Sequence, residues 1–211
     1  YVNEDHPLVD QLLGDALKEG VVSSFKGYQG TEEDVVDEVF AIWYYLQKKG
    51  VKYSSITATS NSSTKIYTQH VRFFDQVYNT DQANCVDGTV FFASILKKIG
   101  INPLLVLEPS HMYLGFYAKS NNNALYTLET TAIGNANLSN YSTTPNKIYY
   151  SWQSFSGAIS SAAQKFNSNI EKMNDPKNMV YKAFDVATLR TIVQPISTRK
   201  MANRRIVQLS E

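Results

Sequence analysis

Residues 84–103 constrain this chain most, because they spell a helix with both ends marked and apolar side chains on more than one face. Asn84 suits an N-cap, Asp87 stands at the third helical position, and Val90, Phe91, Ile95, Leu96 and Ile99 spread around the axis. Lys97 and Lys98 suit the C-terminal end of the dipole, Gly100 stops the helix and Pro103 follows. A helix that is apolar on several faces needs cover from several elements, which puts it near the centre of a fold. Its first residue is Cys85, the only cysteine in 211 residues.

Both helices and strands surround it. Thr31-Glu32-Glu33-Asp34 reads as a capping box, and Val35, Val39, Ile42 and Leu46 recur at helical spacing up to Gly50. Residues 8–18 carry a weaker helical pattern, and 27–30 are turn-like. Residues 57–64, all Ser, Thr, Asn and Ala, compete with regular structure through local side-chain bonds and read as a loop. After the central helix, residues 104–107, 111–117 and 125–129 read as three strands, the last two forming a hairpin about the polar tip 119–123. Residues 135–147 read as a surface loop. Phe155, Ile159, Ala163, Phe166, Ile170 and Met173 then step by fours and threes, predicting a core-facing stripe on an added helix over 150–175 that Asp175-Pro176 ends. Residues 180–184 read as one more strand, and Arg199, Lys200, Arg204 and Arg205 mark 196–211 as a basic, solvated tail.

With 43% hydrophobic and 18% charged residues, and neither a repeat nor a linker, the chain reads as one α+β domain with its core at about 30–135. A net charge of +1, with no basic run interleaved with aromatics, argues against nucleic acid and toward a peptide, protein or small-molecule substrate. One cysteine makes no internal disulfide, and with His6, His70 and His111 it matches no zinc spacing, so neither a metal nor another cofactor is expected. No apolar run approaches the ~20 residues that span a bilayer. The chain opens at Tyr1 rather than Met, which reads as a trimmed or processed start, and an exported or cell-envelope location is favoured over a cytoplasmic one. Oligomeric state is left open.

At a helix start, unpaired N–H groups and the positive end of the dipole favour an anion, and a thiolate is one. A lone cysteine also fits as a small buried hydrophobe. His111 opens a strand after the Pro109-Ser110 turn, with Met112, Leu114 and Phe116 toward the core and Tyr113, Gly115 and Tyr117 sharing its own side. There it is placed to meet a helix N-terminus, although a hydrogen-bonded structural histidine is an equal reading. If Glu129 stands directly opposite His111, the hairpin centres on Ser120, inside the polar tip, and the carboxylate orients the imidazole. An ordinary half-exposed strand glutamate is the alternative.

The run Asn84-Cys85-Val86-Asp87-Gly88 through Gly100-Ile101-Asn102-Pro103 resembles the core of the transglutaminase-like superfamily, in which a nucleophilic Cys opens a helix ending in a Gly-Ile/Leu-x-Pro turn. Pro109-Ser110-His111-Met112-Tyr113-Leu114-Gly115-Phe116 is similar to the family's second block, and Leu128-Glu129-Thr130-Thr131 stands where the family has its acid followed by Thr. Upstream, Tyr67-Thr68-Gln69-His70-Val71-Arg72 resembles the Gln-x-Val-Arg segment of a bacterial branch. The resemblance implies a papain-like α+β fold: a central Cys-headed helix on an antiparallel sheet, with additional N- and C-terminal helices. It implies a Cys85-His111-Glu129 triad, with Gln69 joining the Cys85 N–H as oxyanion donor. The activity it implies is acyl transfer on a peptide or carboxamide carbonyl, by a peptidase, an amidase or a transglutaminase. Glu129 departs from the family's commoner Asp by one methylene.

His70, beside Gln69, competes with His111 for the role of base but has no carboxylate neighbour in the sequence. From a different class, a catalytically inactive binding or scaffolding module would use Tyr113, Phe116, Tyr117 and Tyr126 as a ring-lined cleft. A phosphate- or nucleotide-binding enzyme is set aside, since no Gly-rich loop precedes a helix.

Overall fold

A computed structural model describes residues 1–54 and 71–196. The expected loop at 57–64 and the basic cluster from Arg199 to Arg205 lie outside them.

Helices α1 (Pro7–Lys18) and α2 (Glu32–Lys49) pack together, and Val9, Leu12 and Ala16 of the first and Val35, Val39 and Ile42 of the second are fully buried. α2 begins where expected: Thr31 Oγ1 accepts the Asp34 N–H at 3.1 Å, and Asp34 Oδ2 accepts the Thr31 N–H at 2.7 Å. It stops at Gly50, whose φ of +91° a side chain disfavours. The chain continues through β1 (Lys52–Tyr53), α3 (Phe74–Thr80) and β2 (Gln82–Ala83), which pairs in parallel with β1. Periodicity does not reveal α3, which is only 7 residues long. Gln76 caps it by accepting the Phe73 N–H at 2.9 Å, and its Phe74 stacks on Phe91 of the next helix at 4.3 Å.

That next helix is α4 (Cys85–Lys98). It is buried from Asp87 to Leu96. Burial of an aliphatic or aromatic side chain stabilises by about 1.5–3 kcal/mol, which makes α4 the centre of the core. After Gly100 (φ +82°) come β3 (Pro103–Glu108), β4 (His111–Tyr117) and β5 (Leu125–Leu128), then α5 (Thr144–Asn174), β6 (Lys182–Asp185) and α6 (Val186–Leu189). The main sheet is antiparallel throughout, in the order β5-β4-β3-β6. Among the described residues, no helix is long and apolar enough to cross a membrane.

Three expectations need correction. The β4–β5 ladder pairs Leu114 with Leu128 and Tyr117 with Leu125, so the hairpin centres on Asn121 rather than Ser120. A loop in which the Ala118 N–H reaches the Ala124 carbonyl, with Asn122 and Ala124 at positive φ, sets that register. Next, α5 starts well before 150, inside the stretch expected to loop: Thr143 caps it and Pro145 occupies its first turn, where a missing N–H does no harm. Finally, its buried stripe is Ser151, Phe155, Ala158, Ala162 and Met173, whereas the predicted Ile170 is exposed.

The stripe differs because α5 covers the sheet face expected to be the less apolar one. Leu114, Phe116 and Leu128 pack into the α2/α4 core, while Val106 and Tyr113 on the opposite face pack with Ala162 and Met173. A buried network ties α5 down: Gln47 of α2 accepts from Ser151 Oγ at 2.6 Å and donates to the Ile133 carbonyl at 2.9 Å.

Candidate active site

The head of α4 is held by a buried reciprocal cap. Asn84 Oδ1 accepts the Asp87 N–H at 2.8 Å, and Asp87 Oδ2 accepts the Asn84 N–H at 3.2 Å. Asp87 is fully buried, and Arg72 bonds it twice, through its backbone N–H at 2.8 Å and its guanidinium at 3.3 Å. Cys85 is the first residue of this braced turn and is half-buried. Thr89 Oγ1 donates to the Cys85 carbonyl at 2.7 Å and lies 3.3 Å from the Met112 carbonyl, which joins the turn to the start of β4.

His111 opens β4 directly after the Pro109-Ser110 turn, in which Ser110 takes φ +60°. Its Nε2 meets Glu129 Oε2 at 2.7 Å, which leaves Nδ1 for the sulfur. Burial works to raise the Cys85 thiol. Hydrogen bonds from the His111 side chain and the Met112 N–H, with the imidazolium charge, outweigh it and hold the thiol below its ordinary value. The His111 imidazole is raised to about 9, first by its bond to Cys85 and then by Glu129, against burial and the Lys165 charge. Thiolate and imidazolium therefore stabilise each other.

Glu129 lies just past β5 and caps the 3₁₀ turn Thr130–Asn135. Continuing the ladder by one residue sets it opposite Tyr113, so it reaches His111 across the diagonal, a longer span that suits glutamate's extra methylene. The Glu129 side chain is buried and both of its carboxylate oxygens are engaged. Oε1 accepts from Thr131 Oγ1 at 2.7 Å and from the Thr131 N–H at 3.3 Å; Oε2 accepts from His111 and, at 2.6 Å, from Lys165 Nζ. Burial pushes its pKa up, but the bonds from His111, Lys165 and Thr131 prevail and hold it at about 2. The acid's turn approaches α4 closely because residue 88 is glycine: a Cβ there would lie 3.2 Å from Thr130 Oγ1. The structure thus brings together three of the four expected site residues. Comparison with protein-family models, with curated proteins and with solved structures finds no match to this chain.

Gln69, the fourth, and its rival neighbour His70 lie outside the described residues. Lys165 was not foreseen. The signal for it was available: continuing the true stripe from Phe155, Ala158 and Ala162 at helical spacing lands on residue 165, where a lysine interrupts an inward face. Of the rings offered to the binding reading, Tyr113 and Phe116 are fully buried and line no open cleft. Tyr113 instead stacks beside His111 at 5.9 Å and donates to Glu108 at 2.9 Å. On the α5 side, a groove of about 480 Å³ is lined by Glu129 and Lys165 together with Gln153, Gly157 and Ser161.

Proposed function

We propose that the protein is a thiol-dependent acyl-transfer enzyme of transglutaminase-like, papain-like kind, acting on a peptide or carboxamide carbonyl. The observation that carries this reading is the chain of contacts Cys85–His111–Glu129, in which a half-buried thiol at a helix start shares an imidazole with a buried, ionised carboxylate. The Cys85 thiolate attacks the carbonyl carbon, and negative charge develops on the carbonyl oxygen. The Cys85 N–H, one of the helix-start donors without an intrahelical acceptor, stabilises that charge, with Gln69 as its side-chain partner. The His111 imidazolium gives its Nδ1 proton to the leaving amine as the C–N bond breaks, leaving a thioester on Cys85. His111, now neutral, takes a proton from water or from a second amine as it attacks, and the C–S bond breaks to restore the thiolate. Glu129 holds the ring in one orientation throughout and, while the ring is neutral, keeps its remaining proton on Nε2.

The reading is tested by mixing the full chain with an activated acyl ester and measuring intact mass. One acyl group on Cys85, absent from Cys85→Ala and removed by added water or amine, is the expected result. A Cys85→Ala chain with the parent's turnover sinks the proposal. The ratio of hydrolysed to amine-bearing product separates peptidase or amidase from transglutaminase.

A further inference from the structure

We infer that Lys165 is a positioning residue of this site: its ammonium shares Glu129 Oε2 with His111, fixing the carboxylate from the α5 side and dividing its charge between two cations. The inference rests on the reading of Cys85, His111 and Glu129 as the reacting set. Its footing is geometric. Lys165 Nζ and His111 Nε2 lie 2.6 Å and 2.7 Å from the same oxygen, while the other oxygen is taken by Thr131. The two cations therefore compete directly for one acceptor. At an exposed ion pair, solvent would screen such competition; the Glu129 side chain is only 6% exposed, so it is felt.

The groups form an alternating row: thiolate, imidazolium, carboxylate, ammonium. Other ionisable groups nearby have partners elsewhere. On β4, the Tyr113 hydroxyl donates to Glu108 of β3, which also accepts from Asn169 of α5; in the first turn of α4, Asp87 is bound to Arg72. Lys165 is thus the one cation on Glu129 besides His111 among the described residues. Remove its charge, and the imidazolium is left between two anions with no competitor. It then holds its proton more tightly and becomes a poorer acid toward a departing amine. The row also reaches solvent, since the Lys165 side chain, which lines the α5 groove, is 40% exposed, while that of Glu129 is 6% exposed.

The test is an NMR titration of the histidine rings in the full chain, with His111→Ala used to assign the signal, for the parent, Lys165→Met and Lys165→Arg. The His111 midpoint is expected to rise by about half a pH unit or more in Lys165→Met and to return toward the parent in Lys165→Arg. Turnover on an amide is expected to fall more than on an activated ester, because only the amide's leaving group needs the proton. An unmoved or lowered His111 midpoint in a folded Lys165→Met chain overturns the inference, whatever happens to its melting temperature. If Lys165→Met does not fold, Lys165→Gln is read the same way. The titration needs no turnover, so failure of the acyl-transfer reading, seen in Cys85→Ala, is a separate result.

Discussion

Thr31 and Asp34 at the head of α2, and Asn84 and Asp87 at the head of α4, close the same reciprocal pair of backbone-to-side-chain bonds. At α2 the box faces solvent, and the first turn carries Glu32, Glu33 and Asp34, acids that suit the dipole. At α4 the box is sealed inside, Arg72 braces it, and the dipole's positive end is offered to a thiol. Capping chemistry alone therefore marks where a helix begins. What sets the two starts apart is burial, together with the strand that brings His111 opposite the head of α4.

Four measurements press on that contrast. The largest effect is expected from Cys85→Ala, with acyl transfer lost by about a thousandfold or more, while Thr31→Ala turns over like the parent in the same assay. Next comes stability. Asp87→Ala removes the fully buried carboxylate that caps α4 and binds Arg72, and lowers the urea-derived unfolding energy by about 3 kcal/mol, against about 1 kcal/mol for Thr31→Ala. Comparable losses at both heads would erase the distinction.

The third measurement is pH dependence. His111 is raised from 6.5 to about 9, so its share of stability is complete below 6.5 and lost as pH climbs through 9. Glu129 is lowered from 4.5 to about 2, so its share is complete above 4.5 and lost as pH falls toward 2. Between 4.5 and 6.5 both act in full, and the parent's urea midpoint, relative to a Glu129→Gln chain, is expected to peak there. The smallest effect is local: in Cys85→Ala the His111 midpoint drops from about 9 toward 6.5, because its largest support is gone, whereas Thr31→Ala leaves it in place.

The sequence made the ends of α2 and α4 legible because caps and stops are local: one side chain, one N–H, a few residues apart. The hairpin existed in the pattern too, but its register depended on how five polar residues close a loop, and that shifted the pairing by two positions. Glu129 stayed on the expected face only because the shift was even. Lys165 was hidden for another reason. A stripe read from apolar spacing favoured Ile159, Ala163 and Ile170, while α5 in fact lies down on Ser151, Ala158 and Ala162, small residues that carry little hydrophobic signal but allow close approach. Which helix face is inward was decided by the sheet, and no window of α5 alone contains the sheet.

Gly88 carries a consequence of its own. In the interior of a helix, glycine is less favourable than alanine by about 1 kcal/mol, so Gly88→Ala strengthens α4 as an isolated helix. The added carbon also meets Thr130 at 3.2 Å, and Thr130 adjoins the acid. At this position a sturdier helix and an uncrowded acid turn pull in opposite directions, and the sign of Gly88→Ala is decided by whether Thr130 can give way by a few tenths of an ångström.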